Sequence, residues 1–247
     1  MSFNFNNSSG PFVGGQGYRQ NTGMFDAATA GAISLPEKVL GLTCLLVACA
    51  IAGVVLGYQG LNTATAAGVS GSYFLWFIVE IALLIGAQAM AARPGIGMVL
   101  FLAFGVSTGV IISPLIQILG SDGMQYVVYQ ALGATAAATG GATLYARTTR
   151  RDFSHWGSWL FAALIGLVVA MVIGLFLQST TFSILVSAAA CVLFTMFLVY
   201  DVQKVTHAAN LQGNSIRLAL KIYLDIFNLF INLLSILAIT QGGGRRR

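Results

Sequence analysis

The sequence predicts an all-α polytopic membrane protein built as a bundle of seven transmembrane helices. Three observations predict it. Of the 247 residues, 57% are hydrophobic and only 8% are charged, whereas a soluble domain carries about a quarter charged residues. The mean hydropathy of +0.84 says the same, so the chain lacks the polar surface a water-soluble fold needs. The apolar residues also fall into separate runs, each near the roughly 20 residues that a spanning helix requires. The basic residues, finally, gather in the short gaps between those runs, a pattern set by membrane topology rather than by nucleic acid. The net charge of +5 therefore points to no nucleic-acid partner; the partner is the lipid bilayer.

In chain order the runs are 38–58, 72–92, 95–119, 124–146, 156–178, 181–204 and 216–240. Turn-forming residues separate them: Gly68, Gly71-Ser72, Arg93-Pro94, Ser121-Asp122-Gly123 and Gln178-Ser179. Residues 1–36 are polar and rich in Asn, Gly and Ser, and read as a tail that buries too little to order itself. They contain no apolar h-region of a signal peptide. The domain plan is thus a tail over 1–36, a helical domain over 37–241 and a Gly/Arg tail over 242–247. The fourth run, "ALGATAAATGGATLYA", is rich in small residues that let helix backbones approach, so it is expected at the centre of the bundle. Cys44, Cys49 and Cys191 lie inside apolar runs without metal-ligand spacing and read as small buried hydrophobes.

Orientation follows from the Lys/Arg distribution. With a cytoplasmic N-terminus, that side holds Arg19, Lys38, Arg93, Arg147, Arg150, Arg151, Lys204, Arg217 and Lys221. The opposite side holds only Arg245, Arg246 and Arg247, so the N-in arrangement is expected. A last segment that turned back before crossing would move those three arginines to the cytoplasmic side. Arg150 and Arg151 read as topology anchors, Asp152 as a cap of the next helix or their ion partner, and Trp156 and Trp159 as interfacial. The "GxG" of "PGIGM" follows no strand, so a nucleotide-binding reading fails.

Three acids stand out from this background. Glu80 in "WFIVEIALL" and Asp225 in "ALKIYLDIFNLFINLLSIL" lie within apolar runs, and Asp201 in "FLVYDVQKV" lies near the end of one. An ionisable residue at bilayer depth costs about 2.5–3.5 kcal/mol on insertion scales and usually faces a bundle interior or a pathway. Gly213 is equidistant from Asp201 and Asp225 in the sequence. Two antiparallel helices folded about it bring both acids to a similar depth, at most about 18 Å from the turn. Two carboxylates that close cannot both ionise cheaply, so the pair would share a proton and respond to pH.

The last run adds a polar face of Arg217, Lys221, Asp225, Asn228 and Asn232, spaced for one side of a helix. Either Lys221 neutralises Asp225 and the asparagines tie helices together, or the oxygens line a cation path. The second alternative suits a hard cation such as calcium, held weakly and transiently by Asp201 and Asp225. No cofactor is implied.

Several motifs resemble the transmembrane Bax-inhibitor-motif family: "LVYDVQK", "ALKIYLDIFNLFINLLSIL", "TTRRDFSHWG" and "GVIISPL", in this order on the apolar runs. The resemblance covers about residues 40 to 240. It implies a seven-helix protein, not an enzyme, that leaks calcium in a pH-dependent way, with Asp201 and Asp225 as the pH-sensing dyad. It further implies a basic latch on the dyad, for which Arg93 is the nearest match, and a pathway acid at Glu80. Calcium and protons are the implied small partners. The cytoplasmic (inner) membrane is the implied location if the chain is bacterial. Two rival functions are carried forward. One is a non-conducting regulator of a membrane protease or another partner. The other is an intramembrane aspartyl protease, which Tyr200-Asp201 resembles but which Ile222 and Leu224 oppose, standing where the Gly-x-Gly-Asp motif has its glycines.

Overall fold

The computed structural model describes residues 34–64, 70–207 and 215–242. They form seven α-helices: α1 (Leu35–Ala64), α2 (Ser70–Ala89), α3 (Pro94–Ser121), α4 (Gln125–Thr148), α5 (Gly157–Leu177), α6 (Thr180–His207) and α7 (Ser215–Gly242). A single 3-10 turn, Ser154–Trp156, precedes α5. Each apolar run of the sequence thus becomes one helix. Leu35 and Pro36 belong to α1 rather than to the tail, and Gly242 to α7. The rest of the tail, the turn residues Gly68 and Gly213, and Arg245 to Arg247 lie outside the described residues.

Five of the helices are long and apolar enough to cross a membrane: Leu35–Tyr58, Gly95–Ser121, Ser154–Leu177, Thr180–Thr206 and Ser215–Gly242. Helix α2 contributes a shorter apolar stretch, Leu75–Ala89. Helix α4 falls short because Ala, Gly and Thr replace large aliphatics through its middle.

Local chemistry sets the helix ends. Ser34 stands before α1, and its N–H donates to Glu37 Oε2 (3.0 Å), one half of a capping box. Pro94 begins α3, where its missing N–H costs nothing. Gly123, at φ 68°, turns the chain from α3 into α4, and Gln178 closes α5 in the left-handed region at φ 47°.

The ends of the bundle sort by charge. Val39, Ala91, Ala146, Val205 and Ile216 share one core cluster, which gathers the first turns of α1 and α7 with the last of α4 and α6 and the turn after α2. At this end the Arg217 side-chain Nε–H donates to the carbonyl of Gln88 (2.9 Å), capping the end of α2 from α7. At the opposite end Gln241 donates to the side chain of Gln130 (2.7 Å). Helix α7 therefore runs the length of the bundle instead of turning back. All eight Lys and Arg of the described residues lie at the first end, hereafter the basic end.

The tightest crossing joins α1 and α3. Both carry glycines four apart, Gly53 and Gly57 in "GVVLG", Gly105 and Gly109 in "GVSTG". A Cβ on Gly53 would strike the Val106 carbonyl, and one on Gly109 the Ala50 carbonyl. Backbones approach this closely only where both faces lack side chains. Pro114 interrupts α3 and leaves the Val110 carbonyl without its helical donor. The Ser113 hydroxyl donates to that carbonyl instead (2.8 Å), and Gly57 leaves room for it.

Two expectations are corrected. Helix α4 is not the centre. Gly133, Gly140 and Gly141 face outward with nothing within 4 Å of where a Cβ would stand. The central helix is α7, which packs against α1, α2, α3, α4 and α6; the small residues that bring backbones together are those of α1 and α3. The cysteines are not fully buried either: Cys44 is exposed and Cys49 and Cys191 are half-buried. A small apolar thiol is as much at home against lipid as in a core.

Candidate functional site

Helices α6 and α7 pack antiparallel along an extensive seam, and the seam holds the two acids. Asp201 lies six residues before the end of α6 and Asp225 ten after the start of α7, about 9 and 15 Å from the basic ends of their helices. Asp201 is 4% exposed and Asp225 7%. Their carboxyl groups stand in side-chain hydrogen-bond contact. Two carboxyls in contact cannot both carry charge cheaply. Lys221, one helical turn before Asp225, acts electrostatically on both acids, and Lys204, nearly one turn after Asp201, acts on Asp201. Both lysines are exposed, and Lys204 Nζ lies over the Tyr200 ring, 5.8 Å from its centroid. Asp225 Oδ2 is buried with no hydrogen-bond partner among the described residues.

The polar face continues down α7 from Asp225. The side-chain amides of Asn228 and Asn232 donate to the Leu224 and Asn228 carbonyls of their own helix (2.8 Å each). These bonds stay within α7 and do not tie it to a neighbour. Asn232 is buried and Asn228 half-buried.

Glu80 faces another side of α7. It is half-buried and reaches the Thr108 hydroxyl of α3. Tyr223 of α7 lies against the same hydroxyl and edge-on to Phe104, with ring centroids 6.0 Å apart. The Thr108 hydroxyl donates to the Phe104 carbonyl (2.9 Å), and Tyr223 Oη is buried with no hydrogen bond of good geometry among the described residues. Ser107 Oγ is another such atom. Buried polar atoms without partners are rare in folded proteins; among the described residues the others are Gln117 Nε2 and Thr139 Oγ1, so they are spread over α3, α4 and α7.

Arg93 sits elsewhere. It is exposed in the turn between α2 and α3 and is not among the charges acting on Asp201 or Asp225. Among the described residues there is no cluster of three or more His, Cys, Asp or Glu able to hold a metal ion. The dyad supplies two carboxylates only.

The residue that sequence reasoning passed over is Gln203. It is 6% exposed, and its amide clamps the α4–α5 loop. Its Nε2 donates to the Arg151 carbonyl (2.7 Å), and its Oε1 accepts from the Phe153 N–H (2.8 Å). Asp152 accepts from the Ser154 N–H (2.8 Å) and hydroxyl just before the 3-10 turn. A Cβ on Gly157 would come within 2.8 Å of the Tyr200 hydroxyl, so the loop and the "YDVQ" segment fit against each other at both ends. The signal was visible as two motifs, "RDFS" and "YDVQ", but nothing in their spacing said that they touch.

A multi-pass helical membrane protein with a buried acid pair between its last two helices is the class this geometry defines. The chain belongs to the Bax inhibitor family: the family model described as "Inhibitor of apoptosis-promoting Bax1" matches residues 35–242. The chain is 33% identical over 172 residues to inner membrane protein YbhL of Escherichia coli K12, covering 64% of this chain and 71% of that one. An uncharacterized protein of Helicobacter pylori 26695 is 33% identical over 166 residues, 67% of this chain and 71% of the other. The Golgi anti-apoptotic protein of vaccinia virus strain Lister is 35% identical over 116 residues, 47% and 48% of the two chains.

Proposed function

We propose that this chain is a pH-sensitive calcium leak channel or cation transporter, with all seven helices in the membrane and the Asp201–Asp225 dyad as its gate. The observation that carries the reading is the buried contact between two carboxyls with Lys221 and Lys204 beside them. While the dyad holds negative charge, the lysines are drawn to it and the basic half of the α6–α7 seam stays closed. Protonation removes the charge, releases the basic side chains and loosens the seam. A divalent cation then passes the carboxyl and amide oxygens of Asp225, Asn228 and Asn232, neutral and therefore weak oxygen ligands suited to transit rather than to tight binding. Lys221 thus takes the latch role for which Arg93 was the sequence candidate. Glu80 and the unpartnered Tyr223 hydroxyl offer a second polar step on the other side of α7. Conduction fits polar atoms that find no partner in the packed bundle, since an entering hydrated cation satisfies them.

The E. coli relative is an inner membrane protein by name, which favours the cytoplasmic membrane for this chain too. With the basic end facing the cytoplasm, the N-terminus lies there as well. A second reading is favoured by the family description and the viral relative's name: a regulator that binds a protein partner, such as a membrane protease, and conducts nothing. Purified protein in calcium-loaded liposomes separates the two. The channel reading predicts calcium release well above that of protein-free liposomes. Release at the protein-free rate at every pH tested would refute conduction and leave the regulator.

A further inference from the structure

Beside the dyad, on the outer side of α6, lies a cavity of about 560 Å³, within the size range of small-ligand sites. Its floor is apolar and belongs to α5 and α6: Leu160, Met196, Val199 and the Tyr200 ring. Its roof is the α4–α5 loop, where Phe153 and Trp156 meet edge to face with centroids 5.2 Å apart. The Gln203 clamp holds that roof in place through two hydrogen bonds, so the cavity is framed by fixed backbone. Its mouth carries exposed Arg151 and Asp152, with Arg150 exposed on the same loop and Arg147 exposed in the last turn of α4. Asp152 offsets one of these charges, but Lys204 Nζ lies over the Tyr200 ring, 5.8 Å from its centroid, so the basic groups around the mouth outnumber the acid. Trp156 at the rim and Trp159, 79% exposed one turn further on, mark the depth of the lipid headgroups.

We infer that this cavity is a binding site for an anionic phospholipid, its phosphodiester on Arg151 and Arg150 and one acyl chain on the Leu160–Met196–Val199 floor. A soluble anion has no use for the apolar floor, and a neutral hydrocarbon has none for the arginines. A basic pocket between transmembrane helices at the positively charged face suits an anionic headgroup. Tyr200, whose ring forms one wall, precedes Asp201 in α6, so the lipid sits directly behind the helix turn that carries the dyad.

The test uses the full-length protein in phosphatidylcholine nanodiscs with Trp76→Phe and Trp159→Phe, leaving Trp156 as the sole tryptophan. Phosphatidylglycerol with brominated acyl chains, doped in at a small mole fraction, is expected to quench Trp156 more strongly than brominated phosphatidylcholine. Arg151→Gln should lower the preference for phosphatidylglycerol by about fivefold, and the Arg150→Gln/Arg151→Gln pair by more. Val199→Phe, which fills the floor, should reduce quenching while leaving both arginines in place. Lys38→Gln, a charge removed from the same end of the bundle but outside the cavity, should change nothing. Equal quenching by the two lipids would overturn the assignment. So would an equal loss from Lys38→Gln, which would mean general surface attraction, or reversal by added inorganic phosphate, which would mean a free-anion site.

Discussion

Gln203→Leu tests whether the α4–α5 loop is held by α6 through a single side chain. The substitution keeps most of the side-chain volume but removes the acceptor for the Phe153 N–H and the donor for the Arg151 carbonyl. Each is a neutral hydrogen bond with a net contribution of about 0.5–1.5 kcal/mol, so the clamp stabilises the closed loop by about 2 kcal/mol. Converted to a local opening equilibrium, that is about 30-fold. Hydrogen exchange resolved at single amides reads it directly: the Phe153 amide should exchange about 30-fold faster in Gln203→Leu. The amide of Leu193, buried in another core cluster, should keep its rate. Gln203→Glu retains the acceptor but sets a carboxylate oxygen against the Arg151 carbonyl, so the Phe153 amide should exchange faster there too. An unchanged Phe153 rate in Gln203→Leu would refute the clamp and show that aromatic packing alone holds the roof. A rise at Leu193 as large as at Phe153 would refute it too, because the loss would then be global.

Two further substitutions probe the packing. Gly109→Val sets a branched side chain against the Ala50 carbonyl and the Val54 N–H and should cost about 1–3 kcal/mol or more. A lowered unfolding midpoint in detergent is the measure, and an unchanged midpoint would mean that α1 and α3 do not cross at these glycines. Ser113→Ala orphans the Val110 carbonyl beside Pro114 and should cost about 0.6–2 kcal/mol. In a Pro114→Ala background, where the backbone N–H is restored, the same change should cost less; equal costs in the two backgrounds would separate Ser113 from the proline.

The sequence already carried the class, the seven helices and the acid pair, because each rests on a local pattern. Hydropathy runs and turn residues place helix ends, and the approach of Asp201 to Asp225 follows once α6 and α7 are antiparallel neighbours. Lys221 was legible by the same route, four residues before Asp225 on one helical face. Features set by side-chain placement between distant elements were not legible. Small residues in α4 suggested a central helix, but composition does not say which face meets a neighbour, and α4 turns its glycines outward. Glycines spaced four apart in α1 and α3 carry the close crossing, and only their pairing in space shows it. Arg93 follows a sequence resemblance, whereas the α2–α3 turn leaves it exposed and away from the dyad's charges. Gln203 looked like one more polar residue at a helix end until the loop came back onto it.

The central claim is that the charge on the Asp201–Asp225 pair sets the opening of the bundle. The measurement that tests it most directly is calcium release from proteoliposomes as a function of pH, since a coupled acid pair changes its charge with pH. Protonation weakens the hold on Lys221 and Lys204, so the wild type should release calcium faster as the pH falls. Asp201→Asn and Asp225→Asn each leave one carboxyl that has lost its charged partner, and each should flatten that dependence. Wild-type curves in both variants, with the same rates at every pH, would contradict the account.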